Sequence, residues 1–586
     1  MEFALIKELW GFLSQKRKKQ YYFLFFLIVV GSLSEFVSIG LVIPFLAAIA
    51  TPEVVFNSPY AQPLIIFLDI SNKDGMLLPM VVLFSSAAII SGIMRVTLLW
   101  FTARLSYSTG SDLNLDVYKK VLSQNFEAHK SNVSSEVINT VINKTRLVVT
   151  GVIYPSLTIF SSAFIAVIIL SLLITVDPVI STSSLFIFGV FYLFIIKFSR
   201  INLSQNSVTI AKNSTRLVLF LQESLGGIRD IIIENAHNKF YQNFQDTDVK
   251  LQRAEGDNLF IGQSPKYFME SAGMVLIALI AFYLTRNSGD ILESIPILGV
   301  LALSAQRLLP LLQQIYFGYS SIKGVGKSLD DVLVILRRPH NKMPDPKAVK
   351  KVIFESKIQL KNISFRYPNE TRNVFTDVNL NINQGDCIGI IGDSGCGKST
   401  LLDIIMGLLA PTSGEVSIDG VMLEKQNMQG WQSNIAHVPQ SVFLTNESIE
   451  KNIAFLYDEN EININFITEV VERAQLNDLI SKSLKGIKTS VGERGDKLSG
   501  GQKQRVGLAR AMYKKPSVFI FDESTSALDS NTEEKIIQSI NSSYKGRTII
   551  MVAHRITTLK NCNQIFKLEH NKIISLGSYD EAFGFD

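Results

Sequence analysis

GDSGCGKST, Gly392 to Thr400, decides how the second half of this 586-residue chain is built. The stretch fits G-x-x-x-x-G-K-[ST]. It follows an apolar, strand-like run, Cys387–Ile391, and precedes a helical pattern over Leu401–Leu409. Glycines let the backbone curl without Cβ clashes, so successive N–H groups surround an anion. The positive end of the following helix points at the same place. Lys398 supplies charge to the β- and γ-phosphates of a nucleotide, and Ser399 is placed to hold Mg2+. The candidate nucleotide loop is thus Gly392, Asp393, Ser394, Gly395, Cys396, Gly397, Lys398, Ser399 and Thr400.

Two downstream stretches belong with this loop. Val518–Phe521 reads as a buried strand and ends in Asp522-Glu523. Asp522 is placed to hold Mg2+, and Glu523 to polarise the attacking water. LSGGQKQR, Leu498 to Arg505, opens another helix on small residues, Ser499, Gly500 and Gly501. That makes a second anion-ready helix start. Either it is a helix cap and nothing more, or it meets a nucleotide held by another subunit.

Here the residues carry a resemblance. Leu498–Gln502 resembles the signature sequence of ATP-binding-cassette proteins, and the other elements of that family stand in order. Tyr367 is similar to the aromatic that stacks on adenine. Gln440, in HVPQ, is similar to the glutamine that senses Mg2+ and faces the membrane domain. Thr489–Gly495 resembles the exporter X-loop, and Ser526–Asp529, with Asp529, the D-loop. His554, in VAHR, resembles the switch histidine that contacts the γ-phosphate. The resemblance implies an α/β P-loop nucleotide-binding domain over 356–586, with ATP and Mg2+ as cofactors. The implied catalytic set is Glu523, His554 and Gln440. Ser399, Gln440 and Asp522 are the implied metal set, and Ser499, Gly500, Gly501 and Gln502 meet the nucleotide of a second copy. Every motif is intact, so a homodimer with two active sites is the simplest expectation.

The first half is of another kind. Hydrophobic residues make up 47% of the chain and crowd into long runs before residue 320. A spanning helix needs about 20 mostly apolar residues. About six runs qualify, near Tyr21–Ala50, Leu77–Phe101, Gly151–Val176, Val179–Ile196, Met269–Thr285 and Ile295–Ile315. They are apolar all round rather than amphipathic, which disfavours a soluble bundle. Lys16, Arg17, Lys18 and Lys19 precede the first run, as a cytoplasmic start requires. Thr51–Gly75 carries one Lys and no Arg and reads as outside. The Lys- and Arg-rich stretches Arg104–Val148 and Lys197–Gly256 read as inside. Tyr21–Ala50 is too long for a cleaved signal core of about 7–15 residues.

The net charge of +5 is explained by these flanks. No basic stripe with interleaved aromatics is present, so no nucleic-acid partner is expected. Cys387, Cys396 and Cys562 have neither metal nor disulfide spacing and suit a reducing cytosol. The expected division is a helical membrane domain over 1–336, a proline-containing linker over 337–355 and the cassette over 356–586. A six-span domain ahead of one cassette resembles an exporter half-transporter in a bacterial inner membrane.

The cargo is read from charges in apolar surroundings. SAQRLLPLL, Ser304 to Leu312, puts Arg307 inside a membrane run. A central Arg costs about 2.5–3.5 kcal/mol to insert, so it faces something wet or anionic. Glu35, Arg95, Lys266 and Glu270 raise the same question. Internal pairing, for instance Glu35 with Arg95, and substrate contact both answer it. Glu35–Phe45 and Leu301–Pro310 resemble flippases for lipid-linked oligosaccharides of bacterial protein glycosylation. That resemblance implies a cavity whose basic residues attract a polyprenyl pyrophosphate. The candidate cavity set is Glu35, Arg95, Lys266 and Arg307, with membrane lipids and an anionic lipid-linked substrate as partners. Thr51–Gly75 would hold a short interfacial helix. Leu113–Leu122 and Leu217–Ile233 would couple the two domains.

Overall fold

The computed structural model describes the whole chain except residues 1, 51, 60–61, 68–72, 132, 177, 288–290, 340–349, 369, 456, 525–527, 554 and 585–586. Two compact units divide it: residues 1–124 with 130–343, and residues 344–586 with 125–129.

The first unit is helical. Its elements are α1 (Glu2–Phe12), α2 (Gln15–Ile49), α3 (Leu77–Leu122), α4 (Ser134–Thr175), α5 (Pro178–Gly226), α6 (His237–Asn287) and α7 (Ile291–Arg337). Among the described residues, α2, α3 and α4 are each long and apolar enough to cross a membrane. The remaining three predicted runs fall within α5, α6 and α7, parts of which lie outside the described side chains. Within Thr51–Gly75, the short helices Pro52–Phe56 and Gln62–Phe67 are described.

Large apolar side chains such as Phe26, Ile90, Ile93, Val96 and Trp100 are exposed on α2 and α3. In water that would be costly; in hydrocarbon it is the expected outer face, since the helices satisfy their own backbone. Contact between helices relies on small residues. A Cβ on Gly110 of α3 would lie 2.2 Å from Val149 Cγ2 of α4. Several of the buried polar groups are paired. Lys144 reaches Asp331 at 2.6 Å, and Tyr21 shares a hydrogen bond with Thr109 at 3.1 Å. Helix α1 is tied to α7 by Glu2–Lys323 at 2.5 Å and Glu8–Arg337 at 2.8 Å. Two π-helical turns, Thr140–Lys144 and Val149–Ile153, interrupt α4.

The second unit is built on two sheets. Strands β1 (Lys357–Phe365), β2 (Phe375–Asn383), β4 (Ser413–Ile418) and β5 (Val421–Met422) form an antiparallel sheet in the order β2-β1-β4-β5. Strands β3 (Cys387–Ile391), β6 (Ile435–Val438), β7 (Val518–Asp522), β8 (Thr548–Val552), β9 (Gln564–Glu569) and β10 (Lys572–Gly577) form the other, in the order β10-β9-β3-β8-β7-β6. Only its β9–β10 pair is antiparallel.

Alternation along the central strands splits the core between the two sheet faces. Val518, Ile520, Ile550 and Val552 pack with Leu401, Leu402, Ile404 and Ile405 of α8 (Lys398–Ile405). Phe519, Phe521, Ile549 and Met551 pack with Val506, Leu508, Ala509 and Met512 of α9 (Gly500–Tyr513). Both faces being covered, the parallel strands read as continuous apolar runs.

Candidate functional site

The loop Gly392–Gly397 leaves β3 at its carboxyl end, where the chain order of the sheet reverses: β8 lies on one side and β9 on the other. Ligands of open parallel sheets bind at such points. Val552 of β8 lies beside Ile390 of β3 and beside Asp522 of β7, so the loop and the acidic pair share one sheet edge.

Three loop glycines have left-handed φ: Gly392 at 154°, Gly395 at 80° and Gly397 at 104°. A Cβ on Gly392 would meet Leu568 O at 2.5 Å and Cys396 Sγ at 2.8 Å. Lys398 is buried, and its Nζ donates to Gly392 O at 2.7 Å and Asp393 O at 3.0 Å. The ammonium therefore lies across the loop, where phosphate oxygens would replace two neutral carbonyls. Asp393, Ser394, Gly395 and Ser399 are exposed. Thr400 is buried and shares a hydrogen bond with the Tyr367 hydroxyl at 2.9 Å, which brings the predicted adenine-stacking ring to the loop. The glycine-lined cradle with its buried lysine fits a nucleotide triphosphate.

Glu523 follows directly on β7 and has φ 50°, in the left-handed region that costs a non-glycine residue about 1–3 kcal/mol. Its N–H donates to Val552 O at 3.0 Å, which helps to hold that conformation. Gln440 Nε2 donates to Glu523 Oε2 at 2.7 Å. Two residues far apart in sequence, each predicted separately, thus touch. Among the described residues, no three His, Cys, Asp or Glu side chains form a metal cluster. Mg2+ is reluctant to shed its waters and binds by one or two carboxylates plus phosphate, which a set of Ser399, Gln440 and Asp522 suits.

Ser499 is the N-cap of α9: its Oγ accepts from Gln502 N at 3.3 Å, and Gln502 Oε1 accepts from Ser499 N at 2.8 Å. This capping box leaves Gly500 and Gly501 as the first helical residues. Asp529 caps the helix Ser530–Ser543 by accepting from Thr532 N at 3.0 Å. A hydrogen bond from the Thr532 side chain, then that from its N–H, with the Arg505 guanidinium contributing least, holds the Asp529 carboxyl below the ordinary aspartate range. His554, Ser526 and Ala527 lie outside the described residues.

In the helical unit, Glu35, Arg95 and Arg307 line one cavity of about 350 Å³. Glu35 is 4% exposed. It pairs with Arg307 at 3.4 Å and Arg95 at 3.7 Å, and accepts from the Ser91 hydroxyl. Thr102, Tyr154, Thr158, Ser161, Ser162, Gln306 and Gln314 also line this cavity, so hydroxyl and amide groups share it with apolar side chains such as Leu98, Leu99 and Leu311. Lys266 is not among its lining residues; it pairs with Glu270 on its own helix at 3.8 Å. Ser91 escaped the sequence reading, although it stands four residues before Arg95 and so shares its helix face.

Residues 21–306 match the family model described as the ABC transporter transmembrane region, and residues 375–526 the one described as ABC transporter. A 230-residue stretch is 35% identical to the ATP-dependent lipid A-core flippase of Ralstonia nicotianae, covering 39% of each chain. A 229-residue stretch is 39% identical to Multidrug resistance protein 1 of Entamoeba histolytica, covering 39% of this chain and 18% of that one. The chain thus spans well under half the length of these curated relatives. The fold is that of a solved structure described as a bacterial Atm1-family ABC exporter with ATP bound, with a TM-score of 0.78, 96% of each chain covered and 19% identity.

Proposed function

Because the chain belongs to the ABC transporter family, with an exporter-type membrane region ahead of its cassette, we propose that it is an ATP-driven lipid flippase acting as a homodimer. ATP with Mg2+ is its fuel, and the cassette hydrolyses it. The cargo is an anionic lipid with a hydroxyl-rich headgroup, of which a polyprenyl-pyrophosphate-linked oligosaccharide is the best-fitting example.

One observation carries the cargo reading: two arginines and several hydroxyl and amide groups line the same cavity within the membrane unit. Guanidinium groups suit phosphate because their planar donors engage two oxygens at once. Hydroxyls and amides both donate to and accept from sugar hydroxyls. A headgroup of this kind cannot cross hydrocarbon, while its tail can stay there. Relatives of similar identity bear names of lipid A-core and multidrug transport, so relatedness alone does not select the cargo.

In the cassette, Lys398 and the loop N–H groups hold phosphate, Glu523 orients and polarises the attacking water, and Gln440 fixes the Glu523 carboxylate. Mg2+ neutralises developing phosphate charge when bound. Ser499 at the start of α9 completes the nucleotide site of the second copy. Closure of the two cassettes pulls on Leu113–Leu122 and Leu217–Ile233 and turns the cavity outward; hydrolysis resets it. The membrane is a bacterial inner membrane, with the cassette cytoplasmic.

The test is ATP-dependent translocation of a fluorescent polyprenyl-pyrophosphate oligosaccharide in proteoliposomes, with Glu523→Gln as the inactive control. Movement by the wild type alone supports the reading. Intact hydrolysis without movement keeps the motor and discards this cargo, leaving glycerolipids, lipid A precursors, peptides or drugs.

A further inference from the structure

Arginine in a membrane needs a partner, and here the partner is built in. Among the described residues, the charged ones lining the cavity are Arg95, Arg307 and Glu35, one positive charge in excess. Glu35 is the buried member, at 5% side-chain exposure, against 47% for Arg95 and 36% for Arg307. The carboxylate thus lies beneath two guanidinium groups that remain accessible. The Ser91 hydroxyl donates to the same carboxylate from a buried position, which holds it in place.

We infer that Glu35 is a resident counter-anion that limits how tightly the cavity holds an anionic headgroup, and so sets the rate of its release. The inference rests on the anionic-lipid reading above. Two bare arginines would be expensive in a bilayer, and Glu35 lowers that cost before cargo arrives. Once a phosphate engages the guanidinium groups, the same carboxylate repels it. A transport site must bind well enough to load and weakly enough to unload. Three charges on two neighbouring helices and on α2 supply that balance without any change of fold.

The predicted signature is a gain in affinity with a loss in maximal rate. ATP hydrolysis by the full-length protein in lipid nanodiscs is measured against farnesyl diphosphate, with farnesol as the uncharged comparison. Glu35→Gln keeps the side-chain volume and an acceptor for Ser91 but removes the charge. It should lower the half-maximal diphosphate concentration about tenfold and reduce the maximal stimulated rate, with no change for farnesol. Arg307→Gln should raise the half-maximal concentration about tenfold. The double variant restores the wild-type excess of one positive charge, and its value should return to within about threefold of wild type. The double variant also serves if Glu35→Gln alone fails to fold, because it has one fewer unpaired cation. A Glu35→Gln value unchanged or raised, or a double variant as weak as Arg307→Gln or weaker, overturns the inference alone. Absence of diphosphate stimulation in the wild type overturns the anionic-lipid reading and the inference with it.

Discussion

At the scale of single residues, the sharpest result is that Gln440 and Glu523 share a 2.7 Å hydrogen bond beside the phosphate loop. A positioned general base contributes about 10²–10⁴-fold to a rate. Glu523→Gln should therefore keep ATP binding and lose at least about 10²-fold in hydrolysis; near-normal turnover in a coupled-enzyme assay would remove Glu523 from that role. Ser499 poses a different question, because its hydroxyl already caps α9. Losing such a cap costs about 1 kcal/mol, so Ser499→Ala should lower the thermal midpoint modestly. If Ser499 also meets the partner's nucleotide, hydrolysis should fall further than the folded fraction does. A fall in step with stability would make it a cap only. The candidate residues could be picked out of the sequence because each sits in a short motif whose spacing encodes a turn or a helix start. What could not be read was contact across the chain. Ser91 on Glu35, and Gln440 on Glu523, depend on which helices and strands become neighbours.

Elements were legible to different degrees, for physical reasons. Strands β3 and β7 announced themselves as apolar runs because both of their faces are covered. The helices α2, α3 and α4 did so because lipid demands unbroken apolar length. Past the apolar run only helical periodicity marks the polar continuation of α3, so that it continues could be read but its end at Leu122 could not. Helix pairing was also hidden, for it depends on close approach at small residues. Gly110 is where α3 meets α4, with a Cβ there set to fall 2.2 Å from Val149 Cγ2. Gly110→Leu should force the two helices apart and cost about 1–3 kcal/mol by overpacking. Thermal unfolding in detergent measures it, and Gly92→Leu on the same helix, where a Cβ would meet nothing within 4 Å, is the control. Equal effects of the two substitutions would refute the close-packing account.

For the whole molecule, the homodimer proposal makes a prediction that no single chain can satisfy. Lys398→Ala spoils the phosphate loop, and Gly501→Glu places a charge and a side chain at the start of α9. Each variant alone should be nearly inactive. In a mixed dimer one composite site carries both defects and the other carries neither. Co-expressed and co-purified, the pair should recover up to about a quarter of wild-type hydrolysis, since half the dimers are mixed and each has one intact site. Absence of recovery in verified mixed dimers would mean that the two motifs do not act between copies. The sheet order also governs how the protein is made. The strand that bears the phosphate loop has β8 and β9 as its neighbours, and both are encoded far downstream. At about 5–20 residues per second, synthesis from Ile391 to Thr548 takes on the order of ten seconds. During that interval β3 has neither neighbour, and the loop has no scaffold on which to form. A nascent chain therefore cannot engage its fuel until nearly the last of it has left the ribosome, so translation cut short yields an anchored but inert fragment rather than an uncoupled motor.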